Sequence, residues 1–151
     1  MKTYVMTLLF SGTLVLSGCS GLLDQVSDTT TYVTEANEYV TDIQQFTEDF
    51  PQLAQDAVKN AAKKVELTEQ LESLKADIQE FNEVSAPKIA EDLHAQIIEK
   101  NKVLSEEIQT YLQQLKADNI DVVAMLEEQQ GLIKQLQQSV SLLQDIEQLT
   151  N

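Results

Sequence analysis

Beyond residue 21, this chain of 151 residues contains one glycine, Gly131, and two prolines, Pro51 and Pro87. These are the residues that allow tight reversals and break regular structure, so the chain has few places to turn sharply. A sheet fold with turn residues every 8–12 positions or so is excluded on that ground. Gln, Glu, Leu and Ala are abundant, all of them good helix formers. No alternation of apolar and polar residues marks a strand. The sequence reads as all-α.

The apolar spacing divides the chain into helices. Residues 20–31 carry Ser, Asp and Thr and read as a tether running into a helix, with Ser27 or Asp28 as its N-cap. That helix extends to about Phe50, with Val33, Ala36, Val40 and Ile43 on one face and Tyr32, Tyr39 and Phe46 slightly off that register. Phe50-Pro51 marks a bend or a new segment, because proline lacks an N–H and suits a first turn. Leu53, Ala54, Ala57, Val58 and Ala61 continue the stripe, and the stretch from Lys59 to Lys64 is weakly patterned enough to hold a loop. From Leu67 the seam sharpens: Leu67, Leu71, Leu74, Ile78 and Phe81 alternate by four and three, which is heptad spacing.

Ser85-Ala86-Pro87 predicts another helix start, with Ser85 as cap and Pro87 in the first turn. A long helix follows to Ala117, roughly 45 Å at 1.5 Å per residue, lined by Ile89, Leu93, Ile97, Leu104, Ile108, Tyr111 and Leu115. Asp118-Asn119 forms a turn, and Asp121 caps a last helix carrying Met125, Leu126, Ile133, Leu136, Val140, Leu143, Ile146 and Leu149. Gly131 weakens that helix by about 1 kcal/mol relative to Ala without breaking it. Four to five helices joined by short turns favour antiparallel neighbours. The expected architecture is an antiparallel helical bundle with coiled-coil-like packing over residues 31–151. Its rival is an elongated coiled coil that completes its core in a dimer.

Residues 1–18 have the three parts of a secretory signal. Lys2 is the positive start, Val5 to Leu16 is mostly apolar, and Ser17-Gly18 are small. The apolar run falls short of the ~20 residues that span a bilayer. Leu16-Ser17-Gly18-Cys19 then matches the lipobox of bacterial lipoproteins, and Cys19 is the only cysteine. The thiol is expected to take a diacylglyceryl group, with cleavage before Cys19 and residues 19–30 serving as the lipidated tether. A lone thiol forms no internal disulfide, so the exported fold stands on packing. Each buried acyl methylene contributes about 0.8 kcal/mol, which makes two chains a durable anchor.

Removing the signal takes one lysine and no acid, so nine lysines face 25 carboxylates and the formal charge becomes −16. The chain has no arginine. Without that donor fork and with a strongly negative field, nucleic-acid binding is not expected. Anionic headgroups repel such a body, leaving the lipid to hold it at the membrane. The acidity has an ordinary meaning as solvated helix faces, and a second one as attraction for divalent cations or basic partners.

Catalytic constellations are scarce. The only histidine, His94, stands three residues after Glu91, and Glu-x-x-His is the spacing of di-iron bundles. Those need two such motifs, so at most a mononuclear site of His94, Glu91 and one more carboxylate is possible; the simpler expectation is a surface or half-buried histidine. No Gly-x-Ser-x-Gly elbow or Gly-rich phosphate loop occurs. An enzyme is not expected, and no cofactor is implied. Tyr32 and Tyr39 mark a tentative interaction surface near the tether, since aromatics anchor interfaces; the simpler reading is core with the hydroxyls at its edge.

Taken with YVTEANEYVTDI (Tyr32–Ile43), FPQLAQDAV (Phe50–Val58) and IQEFNEVSAPKIAEDLHAQI (Ile78–Ile97), the lipobox makes the chain resemble a family of small lipoproteins of unknown function from low-GC Gram-positive bacteria. The resemblance implies a place on the outer face of the cytoplasmic membrane (the outer membrane in a diderm source) and carries over no functional residues. Ala86 to His94 is the stretch where a shared feature would be sought, or else a helix start common for structural reasons. The expected role is a non-catalytic interaction or accessory module contacting an envelope protein. The alternatives are a carrier of an apolar ligand in a pocket lined by Met125 and leucines, and a metal-binding protein.

Overall fold

The computed structural model describes residues 20–117 and 122–148. The signal, Leu16, Ser17, Gly18, Cys19, the turn at Asp118-Asn119, the Asp121 cap and Leu149 lie outside them. Four helices follow in order: α1 (Ser20–Ala57), α2 (Ala61–Glu83), α3 (Glu91–Lys116) and α4 (Val122–Glu147). Contacts close a ring, α1 on α2, α2 on α3, α3 on α4 and α4 on α1. This is an up-and-down four-helix bundle.

Each helix buries one heptad seam. On α1 it is Tyr32, Ala36, Tyr39, Ile43, Phe46, Phe50, Leu53 and Ala57, and on α2 Leu67, Leu71, Leu74, Ile78 and Phe81. On α3 it runs Ala90, His94, Ile97, Asn101, Leu104, Ile108, Tyr111 and Leu115, and on α4 Met125, Gln129, Leu132, Leu136, Ser139, Leu143 and Ile146. Steps of three and four alternate without a break, which keeps each stripe facing the bundle axis. The core thus closes within one chain.

Several boundaries differ from expectation. The first helix begins at Ser20, so neither Ser27 nor Asp28 caps it, and the tether is helical from Ser20 onward. Pro51 sits inside α1 and starts nothing. It removes one backbone bond, but Phe50, Leu53, Ala54 and Ala57 bury the same seam on both sides, and at about 1.5–3 kcal/mol per large apolar side chain that burial outweighs the loss. The weakly patterned stretch Lys59–Lys64, left open between loop and helix, holds a turn ending at Asn60, whose side chain accepts from the N–H groups of Ala62 and Lys63 to start α2.

The start of α3 also moves. Val84 ends α2 in an extended conformation, Pro87 is buried, and Ala90 N–H donates to the Pro87 carbonyl at 2.7 Å. The segment closes the bundle end before helix begins at Glu91, so Ser85 is no cap and Pro87 precedes the first turn. Glu91 and Asp92 then occupy that turn, where carboxylates complement the helix dipole. Ile89, expected in the core, is 56% exposed, as is Leu126 at 39%. Among the described residues no helix is long and apolar enough to cross a membrane.

Candidate functional site

The hydrogen-bonded polar residues of the α1 and α3 seams, Tyr32, Tyr39, His94 and Asn101, gather at the end of the bundle formed by the first part of α1, the end of α2 and the start of α3. Tyr32 Oη lies 2.9 Å from His94 Nδ1. One heptad further along both helices, Tyr39 Oη donates to Asn101 Oδ1 at 2.9 Å. Asn101 Nδ2 in turn donates to Asn82 Oδ1 on α2 at 2.8 Å. Phe81 fills the space between: it stacks on Tyr39 with ring centres 4.7 Å apart and lies 5.3 Å from His94. The His94 ring meets Tyr32 edge-on at 5.5 Å.

The tyrosines are therefore core. Tyr32 is 1% exposed and Tyr39 3%, which overturns them as an interaction surface: their rings are spent on packing and their hydroxyls on buried partners. Burial pushes the Tyr32 phenol up to about 12 and raises Tyr39 further, with the Asp77 charge adding to the effect. His94 is buried as well, contrary to the expected surface or half-buried position, and burial lowers its pKa. In the tautomer protonated on Nε2, its Nδ1 accepts from the Tyr32 hydroxyl. Glu91 is exposed, so Glu91 and His94 do not converge. Among the described residues no group of three His, Cys, Asp or Glu is placed to hold a metal ion.

Above this cluster the α1–α2 face is acidic. A groove of about 240 Å³ is walled by Glu35, Glu38, Asp42, Asp77 and Glu80 over the edges of Tyr39 and Phe81. It continues on one side to Asp49 and on the other to Asp28 and Glu83. No lysine lines any of these grooves. Partial burial, then the charges of Asp42 and Glu80, raise the Asp77 carboxyl. Composition hinted at such a face, but only the antiparallel pairing of α1 and α2 aligns the two rows of acids. Met125, the proposed lining of a carrier pocket, is buried and lines none of these grooves.

A second polar set lies between α3 and α4. Gln114 Nε2 donates to Glu128 Oε1 at 2.5 Å, and burial first, with the Glu128 charge, raises the Glu107 carboxyl. A groove of about 480 Å³ opens there, lined by Val103, Glu106, Glu107, Thr110, Glu128 and Gly131.

Comparison with known proteins places the chain. Residues 32–149 match the model of a family of unknown function, DUF6376, a span that begins at the first tyrosine of the buried ladder and runs to the end of α4. The chain is also similar to the "Uncharacterized lipoprotein YybP" of Bacillus subtilis (strain 168), with 34% identity over 149 residues, 99% of each chain. No solved structure matches. With the match extending over all the seams that build the bundle, the chain belongs to the DUF6376 family.

Proposed function

We propose that this protein is a lipid-anchored lipoprotein that works without catalysis, as a contact module for a basic partner on the outer face of the cytoplasmic membrane. Similarity over the full length to an uncharacterised lipoprotein supports the anchor, as does the lipobox ending at Cys19. The observation that carries the contact role is the α1–α2 face. Eight carboxylates, Asp28, Glu35, Glu38, Asp42, Asp49, Asp77, Glu80 and Glu83, line one continuous track with no lysine among them. Between Asp28 and Asp49 the track extends over roughly 30 Å of helix at 1.5 Å per residue.

Such a field repels anionic headgroups and steers a basic protein segment toward this face. Burial first, and then the neighbouring charges of Asp42 and Glu80, raise the Asp77 carboxyl on this face. A partner's lysines or arginines would compensate those charges.

Photo-cross-linking in intact cells tests the proposal, with a photoreactive residue at Glu38 and, as control, at the exposed Gln130 on α4. A specific basic protein captured from Glu38, not from Gln130, and lost with Cys19→Ser, is the expected result. Equal capture from both positions, or none from Glu38, would overturn it.

A further inference from the structure

We propose that the turn from Pro87 to Ala90 is a second membrane contact, where Ile89 enters the boundary between lipid headgroups and acyl chains and Lys88 pairs with headgroup phosphate. The inference rests on the lipid anchor at Cys19 proposed above. It adds which part of the bundle the anchor holds against the membrane.

The turn displays two residues. Ala90 N–H donates to the Pro87 carbonyl at 2.7 Å, and the Ala90 carbonyl accepts from His94 N–H at 2.8 Å. The outer residues, Pro87 and Ala90, are buried, and the two between them, Lys88 and Ile89, are exposed. Ile89 is 56% exposed and forgoes the gain that burial would give an isoleucine. Single exposed apolar residues are common on protein surfaces. What sets Ile89 apart is its place.

That place is the end of the bundle from which the anchor leaves. Val84, Ser85, Ala86 and Pro87 line one groove together with Asp28, Thr31 and Tyr32 of α1, so the α2–α3 connection lies beside the first part of α1. Cys19 adjoins Ser20, the first residue of that helix. From Ser20 to Asp28 the helix rises roughly 12 Å at 1.5 Å per residue. A lipid on Cys19 therefore keeps the turn within about that distance of the bilayer surface, and a lean of the bundle brings it into contact. Apolar residues at such a surface bury about 5–10 Å into the headgroup boundary.

Charge supports the same partner. α1 carries no lysine, and between Lys75 and Lys100 the only lysine is Lys88. The lysine of this end thus stands next to its exposed isoleucine. A lysine stem lies along apolar surface while its ammonium reaches phosphate, and one such charge near an anionic leaflet strengthens binding about fivefold. The same headgroups repel the carboxylates of the α1–α2 track, so a bundle resting on the turn holds that track off the membrane and open to its partner.

Tryptophan fluorescence tests this, because the chain has no tryptophan of its own. The full lipidated chain carrying Ile89→Trp is reconstituted into phosphatidylglycerol–phosphatidylcholine vesicles, where lipids brominated high on the acyl chain quench an indole at the interface. Gln130→Trp is the control. Gln130 is exposed on α4, close to Glu128, whose bond to Gln114 sets it roughly 35 Å of helix from Ala90. Among chains that float with the vesicles, Ile89→Trp should be blue-shifted and quenched about twofold or more, and Gln130→Trp should not be quenched. Adding Lys88→Gln should lower the ratio of inserted to free turn about fivefold. Equal quenching of the two tryptophan variants in floating chains, or insertion unchanged by Lys88→Gln, would overturn the contact and leave the anchor standing. Chains that do not float would remove the anchor and the contact together.

Discussion

The Tyr39 hydroxyl donates to Asn101 at 2.9 Å, across the bundle from α1 to α3. Tyr32 and His94 repeat that relationship one heptad earlier on both helices. The two bonds together show that α1 and α3 run in the same direction, as an up-and-down bundle requires of its diagonal helices. They also fix the register. A slip of one heptad would set Tyr32 against Asn101 and leave His94 and Tyr39 buried without these partners, and each buried polar group so stranded costs about 1–3 kcal/mol. Polar residues in a coiled-coil seam commonly act this way, trading stability for a single alignment.

Tyr39→Phe should destabilise the protein by about 1–2 kcal/mol, since Asn101 loses its donor while its ring environment persists. Asn101→Leu should cost at least as much because it strands both Tyr39 and Asn82. The double variant should cost less than the two combined, with a coupling of about 1 kcal/mol. Urea unfolding of the four species measures it, and strict additivity would contradict the ladder.

His94 predicts a pH dependence. Burial lowers its folded-state pKa below the ordinary value of 6.5, so the unfolded chain takes up a proton first. Stability from the neutral imidazole is full above about pH 6.5 and is lost as pH falls through the folded pKa. His94→Gln keeps a hydrogen-bonding side chain beside Tyr32 without titrating there. Its stability difference from wild type should therefore shrink on acidification below pH 6.5, as thermal melts across that range will show.

Asp77 behaves with the opposite sign. Its carboxyl is raised by burial and by Asp42 and Glu80, so the folded state is penalised when pH rises through that folded pKa and relieved below the unfolded one. Asp77→Asn should stabilise at pH 7 by about 0.5 kcal/mol after solvent screening. The gain should vanish near pH 4. A gain that persists at low pH would assign the effect to packing.

Pro51→Ala separates a continuous α1 from a broken one. Inside a helix the substitution restores the bond to the Thr47 carbonyl and should stabilise by about 1–3 kcal/mol. At a helix start or in a loop, the freer unfolded chain would make the same change neutral or destabilising by about 0.4–1 kcal/mol.

Helix content, the bundle and the α2 seam were legible in the sequence because apolar residues alone spelled the heptads there. Register on α3 was not. His94 and Asn101 occupy core positions, so a stripe drawn through apolar residues slid to Ile89 and Leu93 and put Ile89 inside. On α4, Gln129 and Ser139 hide the seam in the same way, and Leu126 filled the gap. The tyrosine rings were legible as core, but the alternative of an interaction surface stayed open because the buried partners of their hydroxyls lie 62 residues away. Pro51 was misjudged because local propensity pointed to a break while the seam, a tertiary feature, ran through it. The acids of the α1–α2 face were countable from composition, but their alignment depends on pairing that no local pattern encodes.

The working place proposed for this bundle depends on Cys19, and the intact mass of protein extracted from membranes tests it most directly. The account predicts a chain beginning at Cys19 and carrying the mass of a diacylglyceryl group, with that species absent from Cys19→Ser. A membrane-extracted chain that retains Met1, or that begins elsewhere without lipid, would contradict it.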